Sequence, residues 1–528
     1  MVSNKILAAA LGFGVLSSVG VFYMYKDISS KQSEGKNYPL MLAKMDDKNP
    51  DFDEWGKNFP VQLEMFKGTQ DMNLTTDFGG SNPYSKLIRY PQLTTLWAGY
   101  PFSVDFNEER GHYYSQIDQM ETKRNDKAYL NAHGFPAFKG QPGACMNCHS
   151  GWAPELVKEM GWEKFNSTPY WDIIKKVEAK HGPDVHGAKM GSTCSDCHDP
   201  KDMSLRVTRQ AYVNAMAARG YEADPKQGLK GSRQDMKNHV CQQCHVEYYF
   251  QGDSKLLTLP WTEWKKDEPL RIENIEAYYD KNKQAFPQDW THKDTKAPML
   301  KMQHPEAELY SSGVHARSKV SCADCHMPYE RVGAQKVTNH KIASPMNNID
   351  NACRSCHPQS ANELKAKVGF IQTTTANGLR AAENAIIALI ADIKAARGKL
   401  AALPQFASIA DEKERDKQIS KVVEKSLDAH RKAQMRWDFI FSENSTGFHA
   451  PQEAQRVLGQ AQEFARIGQI ELQNALKPFN IAITPSIKAT MPKAPEPIVP
   501  GYIVGAKPPV NLIQFDATYD FSVASPKK

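Results

Sequence analysis

The sequence of 528 residues lacks a second long apolar run, a cluster of basic residues and a disulfide pattern, and each absence excludes a common class of protein. After one apolar segment near the N-terminus, no second run of about 18 or more apolar residues follows, so the body of the chain is not embedded in a membrane. Lys and Arg number 66 against 60 Asp and Glu, without a basic cluster, which argues against a nucleic-acid-binding protein. No cysteine stands outside one regular pattern, and that pattern is not that of a disulfide framework.

The ten cysteines form five C-x-x-C pairs, and a histidine follows each pair directly. The two thiols of such a motif add to the two vinyl groups of one haem, and the adjacent imidazole becomes a ligand of the iron. Two C-x-x-C pairs can also bind zinc, but zinc does not require a histidine after each pair. The motifs therefore predict five haems of the c type. The residues concerned are Cys145, Cys148, His149, Cys194, Cys197, His198, Cys241, Cys244, His245, Cys322, Cys325, His326, Cys353, Cys356 and His357.

Residues 1–30 have the features of an export signal, because Lys5 gives a positive start and an apolar stretch follows from Ile6 to about Tyr25. No clear A-x-A cleavage site is present, and a stretch of about 20 apolar residues can span a bilayer. The segment is therefore either a cleaved signal or a retained anchor. Both alternatives place the rest of the chain in the periplasm, free or tethered to the cytoplasmic membrane.

The rest of the chain divides by composition into three regions. Residues 31–360 carry all five motifs and many Gly, Pro, Asp and Asn, so in this pentahaem region the porphyrins supply much of the buried apolar surface. Residues 361–480 have apolar positions at the helical period, and residues 481–528 form a Pro-rich extended tail. Helices are predicted at 362–402, 410–443 and 451–477, the first roughly 60 Å long.

We therefore expect a mainly α fold, a multihaem cytochrome c with a haem-packed core and long C-terminal helices. Long helices usually pair with each other or with a second subunit, which predicts a homodimer.

Eleven of the sixteen histidines lie outside the motifs. A pure electron carrier would use five of them as distal ligands, whereas a redox enzyme would leave one iron open to its substrate. Spacing alone does not pair histidines with irons. The candidates singled out by context are His112, His315, His340 and His449, and the others are His133, His181, His186, His239, His292, His304 and His430.

Several longer strings carry a resemblance to a known family. They are LWAGYPFSVDFNEERGHYY (96–114), CQQCHVEYYF (241–250), KAPMLKMQHPE (296–306), GVHARSKVSCADCHMPY (313–329), NHKIASP (339–345) and HAPQEAQRVLG (449–459). Over roughly residues 90–475 the chain resembles the pentahaem cytochrome c nitrite reductases of the NrfA type. The resemblance implies a respiratory reduction of nitrite to ammonium by six electrons at one haem with an open distal face. Four bis-histidine haems would carry the electrons to it.

The same resemblance implies which histidines share an iron. The implied pairs are His198 with His340, His245 with His112, His326 with His449, and His357 with His315. The haem on Cys145 and Cys148 then has no distal ligand from the protein. Most members of the family have Lys where CMNCH places His149, although a minority branch has His there. The choice of this motif as the catalytic haem therefore depends on motif order and on the ligand count.

The resemblance also implies a distal pocket of Arg124, Tyr248 and His304. The chemistry of these residues suits the reaction, since Arg binds an anion, His supplies protons near neutral pH and a Tyr hydroxyl orients intermediates. Arg110 is a rival cation, and Tyr249 is the neighbour of Tyr248, which is chosen on motif position alone.

A Ca²⁺ ion beside the active haem is implied as well. Its ligands would be the side chains of Glu247 and Gln303 and the backbone carbonyls of Tyr248 and Lys301, an all-oxygen set that suits a hard cation. The electron donor implied by the resemblance is a membrane-bound multihaem quinol dehydrogenase of the NrfH type or a soluble multihaem carrier. Two other hypotheses stand beside a nitrite reductase: an oxidative relative of the octahaem hydroxylamine oxidoreductases, and a non-catalytic multihaem carrier in which every iron is six-coordinate.

Overall fold

The computed structural model describes residues 3–37, 41–136, 140–185, 187–261, 264–266, 268–490 and 492–493. Helices dominate these residues and strands occur only as short hairpins, which confirms the expected mainly α fold with long C-terminal helices. Before residue 360 the helices are α1 (Asn4–Asn37), α2 (Phe52–Gly56), α3 (Pro60–Lys67), α4 (Lys86–Arg89), α5 (Leu93–Leu96), α6 (Ser115–Glu121), α7 (Lys127–Ala132), α8 (Met146–His149), α9 (Ala153–Met160), α10 (Trp162–Ser167), α11 (Tyr170–His181), α12 (Gln210–Ala218), α13 (Arg233–Gln242), α14 (Ile272–Lys281), α15 (Glu306–Ser311), α16 (Val314–Arg317), α17 (Cys322–His326) and α18 (Ile349–Ala352).

Five antiparallel hairpins are interspersed among these helices. They are β1 (Thr75–Thr76) with β2 (Gly79–Gly80), β3 (Ala223–Asp224) with β4 (Gly228–Leu229), β5 (Tyr249–Gln251) with β6 (Leu256–Thr258), β7 (Trp290–Thr291) with β8 (Pro298–Met299), and β9 (Tyr329–Val332) with β10 (Gln335–Thr338). After α1, the helices and strands before residue 360 stay short because Gly and Pro residues interrupt both the helical and the strand pattern of apolar residues.

The N-terminal helix α1 stands apart from the packed body of the protein. Its segment Asn4–Lys31 is 28 residues long, apolar and exposed, which is long enough to cross a bilayer. Both alternatives for residues 1–30, a cleaved signal and a retained anchor, are compatible with such a helix.

The C-terminal region consists of α19 (Ala361–Ala401), α20 (Pro404–Ala407), α21 (Glu412–Val422), α22 (Glu424–Phe441) and α23 (Pro451–Leu476). Helix α19 begins with a capping box in which Ser360 and Glu363 satisfy each other's backbone N–H groups. Helices α19 and α23 approach closely at Gly468, where an added Cβ would lie 2.7 Å from Leu389 Cδ2.

The helix predicted over 410–443 is two helices in the structure. Helix α21 ends at Val422 and α22 begins at Glu424, and the intervening Val423 has φ −102° and ψ 18°, outside the helical region. Val423 is fully buried, so packing against the core fixes a bend that the apolar periodicity does not reveal. The other two predicted helices end within one residue of the observed bounds.

The long helices share a hydrophobic core with the motif-bearing region. The rings of Trp97 and Trp437 lie 6.1 Å apart, and Gln92 Nε2 donates to Glu383 Oε2 at 3.0 Å. Of the predicted tail, residues 481–490 run along the helices, where the backbone N–H and hydroxyl of Ser486 donate to Asp392. Residues 491 and 494–528 of that tail lie outside the described residues.

Candidate haem sites and active site

The motif cysteines and histidines come together around one continuous cavity of about 1540 Å³. None of the ten cysteines forms a disulfide bond. Most are partly buried, but in the fifth motif Cys356 and His357 are exposed at the surface. The motif residues that line the cavity are Cys145, Cys148, His149, Cys194, Cys197, His198, Cys241, Cys244, His245, Cys322, Cys325, His326 and Cys353.

Two of the motifs fix their own backbone turn through the acidic residue between the cysteines. In CSDCH the Asp196 carboxylate accepts from the N–H of Thr193 at 2.8 Å, and in CADCH the Asp324 carboxylate accepts from the N–H of Ser321 at 2.8 Å. Each is half of a capping box, because the hydroxyl of Thr193 or Ser321 caps the same turn in return. The turn thereby presents both thiols and the histidine toward the cavity.

Four pairs of imidazoles face each other, and they are the four pairs that the resemblance implies. Two imidazoles on opposite faces of one metal, with metal–nitrogen bonds of about 2 Å and ring centres roughly 1 Å beyond, place those centres about 6 Å apart. The donor sets therefore fit haem iron in position as well as in kind. The separations of the ring centroids are 6.2 Å for His112 and His245, 6.3 Å for His198 and His340, 6.3 Å for His315 and His357, and 6.4 Å for His326 and His449.

Backbone carbonyls orient several of these rings. A carbonyl beside Nδ1 requires that this nitrogen carry the proton, so Nε2 is left as the metal-binding atom. The Nδ1–O distances are 2.9 Å from His149 to Ser115, 2.8 Å from His198 to Met203, 3.1 Å from His326 to Ala343 and 2.7 Å from His340 to Thr338.

His149 differs from the other motif histidines, because no imidazole among the described residues faces it at the separation of the four pairs. Two of the histidines that could have closed this face are engaged elsewhere. The ring of His133 stacks on Tyr129 at 3.9 Å, and the ring of His181 lies 4.3 Å from Trp152. His186 lies outside the described residues.

The three residues expected in the distal pocket, Arg124, Tyr248 and His304, all line the cavity beside Cys145 and His149. The rings of Tyr248 and His304 are 6.4 Å apart. Burial lowers the pKa of His304 and raises that of Tyr248 well above its ordinary value, so both side chains are neutral near pH 7.

Arg124 is held so that part of its guanidinium remains free to face the cavity. Nη1 donates to the backbone carbonyl of Asp105 at 2.6 Å, and the guanidinium lies 3.9 Å from the ring centre of Phe102. Its Nε is buried and has no partner among the described residues.

The rival arginine is placed differently. Arg110 donates to Asp118 at 2.6 Å through Nε and to Glu121 at 3.1 Å through Nη2. Its charge is therefore neutralised by carboxylates, which favours Arg124 as the cation for an anionic substrate. The second tyrosine, Tyr249, also points elsewhere, since its hydroxyl hydrogen-bonds that of Tyr278 at 2.8 Å.

Two carboxyl groups that the sequence did not single out also line this cavity, the buried Glu306 and the exposed Glu109. Desolvation raises the pKa of Glu109, but the neighbouring His304 and His149 outweigh desolvation and lower it below its ordinary value. Burial raises the pKa of Glu306, and one of its carboxyl oxygens has no partner among the described residues. Glu109 lies in NEERGH and Glu306 in QHPE, so adjacency to a pocket or ligand histidine is the signal that could have found them.

The residues expected to bind calcium converge in a dry, acidic environment. The carboxylate of Glu247 is fully buried and accepts from the backbone N–H of Gln303 at 2.5 Å. Burial raises the pKa of Glu247 well above its ordinary value. Two further carboxyl groups interact with it, the half-buried Asp289 and the fully buried Glu308, and desolvation raises their pKa values to about 6 and about 8.

The nearest cation does not neutralise this group. The ammonium of Lys301 is directed away, to Asp438 at 3.1 Å and to Ser442 at 2.7 Å. Among the described residues no cluster of three or more His, Cys, Asp or Glu side chains is disposed to bind a metal. A calcium ion here would thus depend on amide and backbone oxygens beside Glu247, and its charge would stabilise the ionised form of this buried carboxyl group, which fits a hard divalent cation.

Comparisons with known proteins identify the family and fold to which this chain is similar. A sequence profile of the cytochrome c552 family matches residues 51–497. Cytochrome c-552 of Parabacteroides distasonis is 35% identical over 408 residues, covering 77% of this chain and 73% of that protein. Cytochrome c-552 of Aliarcobacter butzleri is 33% identical over 461 residues, covering 85% and 81%.

Among solved structures, the chain is similar to the catalytic subunit (NrfA) of the cytochrome c nitrite reductase from Desulfovibrio desulfuricans ATCC 27774, for which two calcium sites are described. The TM-score is 0.69 at 27% identity, and the match covers 84% of this chain and 92% of that one.

Proposed function

The chain belongs to the cytochrome c552 family, and from that premise we propose that it reduces nitrite to ammonium. It is an oxidoreductase of the ammonia-forming cytochrome c nitrite reductase type, with five c-type haems and calcium as cofactors. The observation that carries the finer proposal is that four motif histidines face a second imidazole, whereas none of the imidazoles in the described part of the chain faces His149 in this way. The haem on Cys145 and Cys148 is then the site of reduction, and the four bis-histidine haems deliver six electrons to it.

The haems supply one-electron transfer and an iron that binds nitrite, and the protein supplies charge, protons and exclusion of water. Arg124 binds the anion with a permanent charge in a buried setting, where an ionic hydrogen bond is stronger than in water. His304 is neutral at rest and can take up a proton and pass it on. The hydroxyl of Tyr248 donates a hydrogen bond to the bound nitrogen oxide.

His149 replaces the lysine of most relatives without changing the coordination number. Its Nδ1–H donates to the carbonyl of Ser115 at 2.9 Å, which fixes the tautomer and leaves Nε2 as the atom that would bind the iron. An imidazole held in this way would hold the haem on Cys145 and Cys148, whose iron would supply the binding site for nitrite.

Calcium has a positioning role in this proposal. Glu247 precedes Tyr248 and Gln303 precedes His304, so one ion bound by Glu247, Gln303 and the carbonyls of Tyr248 and Lys301 would fix both pocket residues. It would also stabilise the ionised form of the carboxyl groups there, whose raised pKa values reflect their desolvation.

The partners follow from the same assignment. The chain takes electrons from a redox partner, which we propose is a membrane-bound quinol dehydrogenase of the NrfH type or a soluble multihaem carrier. We further propose a periplasmic homodimer, with the exposed faces of α19 and α23 as its interface. Two apolar side chains there, Phe370 and Ile470, are 73% and 60% exposed.

The experiment that tests the function is nitrite reduction with reduced methyl viologen, with ammonium measured as the product. The neighbouring tyrosines provide a matched pair, since Tyr248→Phe should lower the rate while Tyr249→Phe should not. A purified five-haem protein that forms no ammonium, and whose ferric haems are all low-spin by EPR, would support the carrier hypothesis instead. A protein that oxidises hydroxylamine but does not reduce nitrite would support the hydroxylamine oxidoreductase hypothesis.

A further inference from the structure

The loop between α22 and α23 folds around one buried carboxylate, that of Glu443, which is 2% exposed. Glu443 accepts hydrogen bonds from the backbone N–H of Ser445 at 3.1 Å and from its hydroxyl at 2.7 Å. The N–H of Gly447 approaches it at 3.4 Å. Thr446 and Gly447 take positive φ values of 52° and 78°, so the chain turns back on itself at this point.

The turn delivers a histidine to the same carboxylate. The N–H of His449 donates to the hydroxyl of Ser445 at 2.9 Å, which places the imidazole beside Glu443. Nδ1 of His449 lies 2.5 Å from Oε1 of Glu443, although the N–H does not point straight at that oxygen. The histidine and the carboxylate therefore form a close charge contact inside the protein.

This contact sets His449 apart from the other paired histidines. His198, His326 and His340 each have a neutral backbone carbonyl beside Nδ1, at 2.8, 3.1 and 2.7 Å. A carboxylate draws the Nδ1 proton more strongly than a carbonyl does, so the imidazole bears more negative charge at Nε2. A more basic axial ligand stabilises the ferric over the ferrous iron.

We propose that Glu443 is a tuning residue that lowers the reduction potential of the haem on Cys322 and Cys325 through His449. The inference rests on the proposed function, because it requires that His449 be the distal ligand of that haem. The couple involved is the one-electron reduction of ferric to ferrous haem, and no atom is transferred. Glu443 is not one of the residues proposed for the distal pocket, and the expected effect is on one of the four electron-carrying haems.

One other charged side chain adjoins this loop. Glu306 accepts from Asn444 Nδ2 at 2.5 Å, and its charge also acts on His449. Because the charge of Glu306 acts on the same imidazole, replacing Glu306 would itself perturb His449, and it is unsuitable as a control. The exposed Glu463 on α23 is a suitable one, since its replacement removes a carboxylate from the surface.

The test compares the wild-type holoprotein with Glu443→Gln, Glu443→Asp and Glu463→Gln by spectroelectrochemical titration and EPR. Five haems per chain are verified first. Removing such a second contact commonly changes a metal equilibrium by roughly tenfold, which for a one-electron couple is about 59 mV. In Glu443→Gln the reduction potential of one low-spin haem should therefore rise by about that amount, and those of the other four haems should stay unchanged. In Glu463→Gln all five reduction potentials should equal those of the wild type.

The remaining variants keep the outcome decisive. Glu443→Asp keeps the charge but moves it away from the imidazole ring, so the potential of the same haem should rise by a smaller amount than in Glu443→Gln. If Glu443→Gln does not acquire its haems, the aspartate variant is the one that tests the inference. A five-haem Glu443 variant with all potentials unmoved, or with one lowered, overturns the inference. His449→Ala tests the ligand assignment separately from the tuning role of Glu443. A new high-spin ferric haem in this variant supports His449 as the distal ligand. An unchanged number of low-spin haems shows that the ligand assignment is wrong.

Discussion

Replacing Arg124 by alanine should weaken the productive binding of nitrite without disturbing the pocket that holds it. The segment around Arg124 is anchored by groups that alanine retains, since the backbone N–H donates to Asp105 at 3.3 Å and Thr122 donates to the same carboxylate at 2.7 Å. What is lost is a permanent charge and a guanidinium packed 3.9 Å from the ring centre of Phe102.

The size of the effect follows from the loss of a hydrogen bond to a charged group. Such a bond contributes about 1.5–3 kcal/mol, and about 1.4 kcal/mol corresponds to tenfold, so kcat/KM for nitrite should fall roughly 10- to 150-fold. Arg124→Lys keeps the charge but loses the fork of donors, and its loss should be smaller. Lys127→Ala, which removes an exposed positive charge three positions along, should leave kcat/KM unchanged.

The assay is nitrite consumption and ammonium formation with reduced methyl viologen, normalised to haem content. Five haems per chain in each variant show that maturation is intact. If Arg124→Ala reduced nitrite as fast as the wild type, the guanidinium would not bind the anion. The positive charge would then have to come from a residue other than Arg110, whose guanidinium is already bound by Asp118 and Glu121.

Four further outcomes are expected. Removal of calcium should lower the rate of nitrite reduction before any haem is lost, because the ion proposed to position both Tyr248 and His304 is then missing. Added Ca²⁺ should restore the rate. Full activity in a verified calcium-free sample would contradict this role. His149→Lys should keep its haem, if the host attaches haem to C-x-x-C-K, and should still form ammonium at an altered rate. If the variant formed no ammonium, lysine could not replace histidine as the proximal ligand in this protein. Titration of the wild type with cyanide should perturb one haem and leave four unchanged, and binding at none would favour a carrier. The imidazole planes of His315 and His357 meet at 87°. Near-perpendicular planes leave the iron orbitals nearly degenerate, so the haem between these histidines should give a low-spin ferric EPR signal with a large maximal g value. A spectrum that contains only rhombic low-spin signals would contradict that geometry.

The haem-binding motifs were readable from the sequence because their chemistry is local. Both thiols and the proximal imidazole lie within five residues, so the covalent attachment fixes their spacing wherever the fold places them. The long helices were readable for a similar reason, since the period of their apolar residues is a local property. The bend at Val423 was not readable, because the buried side chain that imposes it is part of the same apolar period.

Pairings across the fold have no such local signature. His112 and His245 face each other at 6.2 Å although more than a hundred residues separate them, and only the resemblance to a family proposed the pair. The choice between Arg110 and Arg124 also needed coordinates. What distinguishes them is Asp118, which binds the first and not the second, and no spacing rule predicts which carboxylate an arginine will meet.

The end of helix α22 makes two contacts with residues that the proposed function uses. Asp438 binds the ammonium of Lys301 at 3.1 Å and the N–H of Met302 at 2.9 Å, which holds the segment that carries two of the proposed calcium ligands. One turn later the helix ends, and Glu443 holds His449. Within about six residues, therefore, the long-helix region fixes both the calcium segment and the ligand of an electron-carrying haem.

This placement makes the division at residue 360 one of sequence texture and not of function. A chain ending at 360 would retain every motif, but the haem on Cys322 and Cys325 would lack its proposed distal histidine. It would also leave the buried ammonium of Lys301 without Asp438, and an unpaired buried charge of this kind costs about 3–5 kcal/mol. We therefore propose that the long helices belong to the catalytic unit, because Asp438 and Glu443, which contact the proposed calcium segment and the proposed haem ligand, lie at the end of α22.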